Sequence, residues 1–207
     1  ILPSLCSSVS MYQLVLASAS PRRRQLLNEA GFYFLVHPSQ ISETFDKNMT
    51  LEDQLRDLSR RKAEVVFNEY QGIHKDPFIV LAADTEVIIH GEALGKPQDQ
   101  RQAMAFLKLL SGGFHEVKTA MFMKESVKGD FVSHVETTLI EFNELNDQEI
   151  LDYAKTSEPY DKAGGYAIQG EGKKFVKRTA GSWTNVVGLP VEKLVEIFKS
   201  KNWILKK

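Results

Sequence analysis

The chain has 207 residues, 43% of them hydrophobic and 26% charged, with a formal net charge of −1. That length and apolar content suit one good-sized core and exclude a disordered polymer. The near-neutral balance does not provide the broad basic face of a nucleic-acid binder, and no apolar run approaches the roughly 20 residues of a membrane span.

A lone cysteine, Cys6, rules out an intrachain disulfide and suits a reducing compartment, so a cytoplasmic protein is expected. Residues 1–10 precede Met11 and read as an extension, with 11–207 as a single domain. Ala17-Ser18-Ala19 imitates a secretory cleavage site, but a basic leading segment is missing and Pro3 and several serines break the apolar stretch. Residues 14–17 form a short apolar run that predicts a buried strand. Pro21 then opens a helix whose apolar side is Leu26, Leu27 and Ala30, ended by Gly31. A second strand is expected over 32–36. A helix is expected over 51–70, because Leu51, Leu55, Leu58 and Val66 recur at three-to-four spacing.

The continuous apolar run 78–83 predicts a central strand, followed by a separate one over 86–90 that turns at Gly91. Gln98 or Asp99 starts a helix with Ala103, Phe106, Leu107 and Leu110 on one face. Gly112 and Gly113 stop it. Segments 115–123 and 132–142, rich in β-branched and aromatic residues, predict an antiparallel pair. Asn146 caps a helix that runs to about Ala154. Short strands are expected at 166–168 and 175–177, and Pro190 opens a last helix carrying Val191, Leu194, Val195 and Phe198. Strands alternate with helices, so the class is α/β with a mixed sheet.

Four places on this frame can carry chemistry. Ser18-Ala-Ser20-Pro-Arg22-Arg23-Arg24 lies between a strand and a helix. The helix N-terminus favours anions, and three arginines crowd an end where cations are disfavoured, so a bound phosphate is expected to compensate them. Removal of Arg22 or Arg23 is then expected to weaken triphosphate binding with little loss of stability. Asp84, with Thr85 behind it, ends an apolar strand, where ligands gather in open α/β sheets. A carboxylate there can hold a divalent ion or activate water; in isolation it reads equally well as a turn former. Gly95-Lys96-Pro97 lacks the spacing and the Ser/Thr of a P-loop, yet Lys96 remains a phosphate ligand candidate. Asp161-Lys162-Ala-Gly-Gly-Tyr166-Ala-Ile-Gln169-Gly170 places two glycines where backbone can approach a ligand closely. No histidine pair has metal-ligand spacing, and no G-x-S-x-G elbow is present.

Together these segments resemble the Maf family of nucleotide pyrophosphatases. The likeness runs over LASASPRR at 16–23, Ile41-Ser42-Glu43, Arg61-Lys62-Ala63, ADT at 83–85, GKP at 95–97, DKAGGYAIQG at 161–170 and Asn185-Val-Val-Gly-Leu-Pro190. It implies a mixed twisted sheet with flanking helices around a deep cleft, similar in outline to inosine triphosphate pyrophosphatases. It also implies hydrolysis between the α and β phosphates with Mg2+ or Mn2+, and a homodimer. Carried over by position, Ser18, Arg22 and Arg23 match the phosphate loop, and Glu43, Lys62 and Lys96 match charged cleft residues. Asp84 matches the general base, with Glu43 and Asp84 as metal-type acids. Asp161 and Lys162 open the glycine segment on the substrate side. Arg22, Thr85 and Gln169 match positions linked to substrate choice, and the pattern resembles the branch acting on dTTP and UTP. Ser42 departs from an acid common in relatives, and Ala167 from a glycine. The rival expectation is a nucleotide-binding regulator linked to septum formation, without turnover.

Overall fold

The structure is a computed structural model that describes residues 10–44, 46 and 48–207. The expected extension over 1–10 lies, apart from Ser10, outside the described residues. The chain begins with strand β1 (Met11–Leu16), helix α1 (Pro21–Glu29), β2 (Phe34–Val36) and the long helix α2 (Leu51–Ile73). Next come β3 (Phe78–Ile89), β4 (Glu92–Leu94), α3 (Gln100–Leu110), β5 (Phe114–Glu125), β6 (Phe131–Phe142) and α4 (Asp147–Ala154). After three 3-10 turns the chain ends in β7 (Val176–Ala180), α5 (Trp183–Val187), α6 (Val191–Ser200) and β8 (Ile204–Leu205).

The strands form one mixed sheet in the order β2-β1-β3-β5-β6-β7, with β4 added to β3 and β8 to β1. β1 runs parallel to β2 and β3, whereas β3, β5, β6 and β7 are successively antiparallel. Alternation along the strands divides the core between two faces. Val15, Ala17, Val80 and Ala82 pack under α2 with Ala63, Val66 and Phe67. Leu14, Leu16, Ile79 and Leu81 face the other way, among Leu26, Leu107, Leu194 and Phe198 from the remaining helices. Among the described residues, no helix is long and apolar enough to cross a membrane.

The expected break in β3 is absent: one strand continues through Asp84, Thr85 and Glu86. β5 pairs with its whole length, from Ile79↔Glu125 to Ile88↔Glu116, so the ladder does not depend on apolar side chains. β1 pairs with β3 only as far as Leu16↔Leu81. Between that point and Val87, where β4 joins, β3 has no strand on one side, and Asp84, Thr85 and Glu86 line the opening. The strand expected at 166–168 is also absent. Tyr166, Ala167 and Ile168 are buried as a strand would be, but the Ala167 amide donates to the Tyr153 hydroxyl at 3.1 Å instead of joining a ladder. β4, α5 and β8 are too short to leave a periodic signal.

Candidate active site

A cleft of about 470 Å³ opens where β1 leaves β3, a size that suits a nucleotide. Its lining includes Ser18, Arg22, Arg23, Glu43, Lys62, Asp84, Thr85, Lys96, Asp161, Lys162 and Gln169. The structure thus brings every site residue expected from the sequence into one cavity, across a span from β1 to the glycine segment. Arg24, the third arginine of the cluster, is exposed and outside that lining.

One wall is built by α2 against β3. The Lys62 ammonium lies 2.7 Å from Glu43 Oε1 and 2.7 Å from Asp84 Oδ1, so two carboxylates converge on one cationic point. Arg61, the preceding residue, positions the Glu43 segment through its backbone. It donates to the carbonyls of Ser42 at 3.1 Å and Thr44 at 2.6 Å, and Asp57 one turn earlier anchors it at 2.7 Å. The hydrogen bond from Lys62 holds the Glu43 carboxyl below its ordinary value, against partial burial, with Lys96 and Arg23 assisting. Among the described residues no three His, Cys, Asp or Glu side chains converge as metal ligands. Two hard carboxylates that meet on one cation nevertheless suit Mg2+, which commonly takes one or two carboxylates together with substrate phosphates.

Glu86 stands two residues beyond Asp84 on β3 and lines the same cleft. Sequence reasoning passed over it because it lies within an apolar-looking strand, and its only signal was a carboxylate at even spacing from Asp84. Its Oε2 is buried and accepts no hydrogen bond among the described residues. Burial first, and then the charges of Asp84 and Glu43, push its carboxyl up to about 7; Lys96 and Lys62 oppose the shift. Its cross-strand neighbour Lys118 lies instead near Glu116 at 3.5 Å and Glu52 at 3.8 Å.

The opposite wall, from α1 to α5, is organised around Arg23. The Ser20 hydroxyl caps α1 by accepting from the Arg23 amide at 3.4 Å. The Arg23 guanidinium donates to the Gly188 carbonyl at 2.8 Å, to Ser18 Oγ at 3.2 Å and to Thr85 Oγ1 at 3.2 Å. The Thr119 hydroxyl donates to the Asn185 carbonyl at 3.1 Å, so in the 2.8 Å contact between Thr85 and Thr119 the donor is Thr85. The hydrogen-bond chain therefore runs Arg23 to Thr85 to Thr119 to Asn185. The Asn185 amide continues it to the Val117 carbonyl and Thr138 Oγ1, both at 2.9 Å. The two arginines that read alike in the sequence play different parts. Arg23 ties α1, β3 and the end of α5 together. Arg22 reaches across the cleft mouth to Asp161 at 3.0 Å, and Lys162 pairs with that same carboxylate.

The glycine segment closes the far side. Gly164 has φ +73°, and a Cβ there would stand 2.8 Å from a methyl of Val87, so only glycine lets this turn seat on β3. Its amide donates to the Gly95 carbonyl at 3.1 Å, which sets the turn beside Lys96. Gln169 is exposed at the cleft edge. Below it the Tyr166 hydroxyl meets His115 Nε2 at 2.7 Å. Burial pulls His115 down to about 4, so the imidazole is neutral near pH 7.

Residues 13–201 match the family model described as Maf-like protein. A dTTP/UTP pyrophosphatase of Bdellovibrio bacteriovorus is 53% identical over 91% of this chain and 97% of that protein. Proteins of the same name from Halalkalibacterium halodurans and Caldicellulosiruptor bescii are 43% and 40% identical, over 91% and 89% of this chain and 96% and 92% of their own lengths. A solved nucleoside-triphosphatase (dITP/XTP pyrophosphatase) of Mycobacterium abscessus aligns over 92% of this chain and 94% of its own, with a TM-score of 0.36 and 11% identity.

Proposed function

The chain belongs to the Maf-like family, and from that premise we infer that it is a nucleoside triphosphate pyrophosphatase that converts dTTP and UTP to the monophosphate and pyrophosphate. The observation that carries this reading is the 53% identity to the Bdellovibrio dTTP/UTP pyrophosphatase across 91% of the chain. The cleft supports it chemically. Phosphoryl transfer asks mainly for positioning and charge neutralisation, and Arg22, Lys62, Lys96 and Lys162 bring four cations to one cavity.

In this reading Arg22, Lys162 and Lys96 hold the triphosphate. Asp161, which occupies Arg22 and Lys162, gives way to it. Asp84 gives Oδ1 to Lys62, and its other oxygen takes a proton from water as that water attacks the α-phosphorus. The bond from the α-phosphorus to the bridging oxygen breaks, and pyrophosphate leaves with its charge on the basic groups. Glu43 and Asp84 would hold Mg2+ or Mn2+, which supplies charge neutralisation at the phosphates when bound.

Base choice falls to Gln169. Uracil and thymine present an imide N–H between two carbonyl oxygens, and an amide offers a donor and an acceptor at once. Thr85 contributes from behind, because its hydroxyl hydrogen is committed to Thr119. Pyrophosphate release from UTP, dTTP, CTP and GTP with Mg2+ or Mn2+ tests the proposal. UTP and dTTP are expected well above CTP and GTP, with Gln169→Ala lowering kcat/KM for UTP more than residual turnover of GTP. Preference for GTP would overturn the substrate assignment, and equal losses on all substrates would remove Gln169 from base choice.

A further inference from the structure

We propose that Glu86 is a positioning residue of the divalent-cation site, an acceptor one layer outside Glu43 and Asp84 that takes a hydrogen bond from the water of a hydrated Mg2+ or Mn2+ beside the triphosphate. The inference rests on the metal reading above and adds to it a residue that lies outside the converging pair.

Glu86 Oε2 is enclosed and accepts no hydrogen bond among the described residues. A buried acceptor left without a donor is costly and uncommon. The atom belongs to a side chain that lines the nucleotide cleft, on the β3 face it shares with Asp84. Two of the nearby lysines have other partners, and the third, Lys96, is exposed. Lys62 is shared between Glu43 and Asp84, and Lys118 between Glu52 and Glu116.

Three carboxylates in one wall therefore face a single committed ammonium and the exposed Lys96. With Glu86 ionised, that wall carries a surplus of negative charge that favours a small cation of charge two. Mg2+ and Mn2+ keep much of their water when bound, and such water is a donor of the kind the orphaned oxygen lacks. Acceptors of this type, one layer outside the ligands, commonly contribute 10–100-fold to metal affinity. A purely structural role fits poorly, because an unpaired buried carboxylate does not stabilise a fold.

The test measures Mn2+ binding to the whole chain by electron paramagnetic resonance, in wild type, Glu86→Gln, Glu86→Asp and Glu86→Val, with Tm in metal-free buffer recorded alongside. Glu86→Gln and Glu86→Val are expected to weaken Mn2+ binding about tenfold or more, with Tm unchanged or raised, and Glu86→Asp is expected to retain part of the affinity. Wild-type affinity in Glu86→Gln and Glu86→Val would overturn the role of Glu86 while leaving a metal at Glu43 and Asp84. Absence of Mn2+ binding in wild type would overturn both. A fall in Tm without a change in Mn2+ affinity would make Glu86 structural and also refute the proposal.

Discussion

The two walls of the cleft use opposite chemistries. On the α2 side, charged groups are concentrated and incompletely matched: one ammonium serves Glu43 and Asp84, and Glu86 has an oxygen with no partner. On the α5 side a directed chain of hydrogen bonds leads from Arg23 through Thr85 and Thr119 to Asn185, where the Asn185 Oδ1 alone of the chain's polar atoms has no partner among the described residues. In the proposed reading the unmatched wall takes a cation and a reacting water. In the same reading the matched wall is the surface against which substrate is placed. Proteins commonly accept local imperfection at the site and maintain consistency in the scaffold around it.

The largest effect that separates the walls is expected from Asp84→Asn. It removes the carboxylate that takes the proton in the proposed mechanism, so kcat should fall by about 10²–10⁴-fold, while Lys62 keeps Glu43 as a partner and Tm holds. A folded variant with near-full turnover would assign the proton transfer elsewhere.

A second effect lies beneath the glycine segment, at His115. Burial holds its folded value at about 4, below the ordinary histidine value of 6.5. Between these the unfolded chain binds the extra proton, so stability is complete above about pH 6.5 and falls as the pH drops toward 4. The loss amounts to up to about 3 kcal/mol. Tm measured across this range should slope less steeply in His115→Gln than in wild type. Equal slopes would place the acid sensitivity in other groups.

Much of this arrangement was legible beforehand. The clustered arginines, the strand-end aspartate, GKP and the glycine segment pointed to part of the cleft, whereas Glu43 and Lys62 were legible only through the family resemblance. The helices were legible because their apolar residues recur every three or four positions. What escaped depends on partners remote in sequence. β3 runs unbroken through Asp84 because β5 supports it, and 166–168 is buried without being a strand because Tyr153 takes its amide. Glu86 was missed because only its neighbours in space make a carboxylate there unusual. The neighbouring arginines read identically because what distinguishes them is Gly188 for one and Asp161 for the other.

That arginine pair supplies the next comparison. Arg23→Ala removes three donated hydrogen bonds from a partly buried cation and is expected to cost about 2–3 kcal/mol, seen as a Tm lower by roughly 4–12 °C. The smallest stability effect is expected from Arg22→Ala, whose exposed ion pair contributes about 0–1 kcal/mol; this change should raise KM for UTP with Tm nearly unmoved. Equal Tm losses in the two variants would erase the distinction between a scaffold arginine and a substrate arginine.

The central claim is that the charged wall delivers water to the α-phosphorus. The most direct test is hydrolysis of UTP in oxygen-18 water with Mg2+, with products read by mass spectrometry. The account predicts labelled UMP and unlabelled pyrophosphate, with both lost in Asp84→Asn. Label in the pyrophosphate, or formation of UDP and orthophosphate, would contradict it.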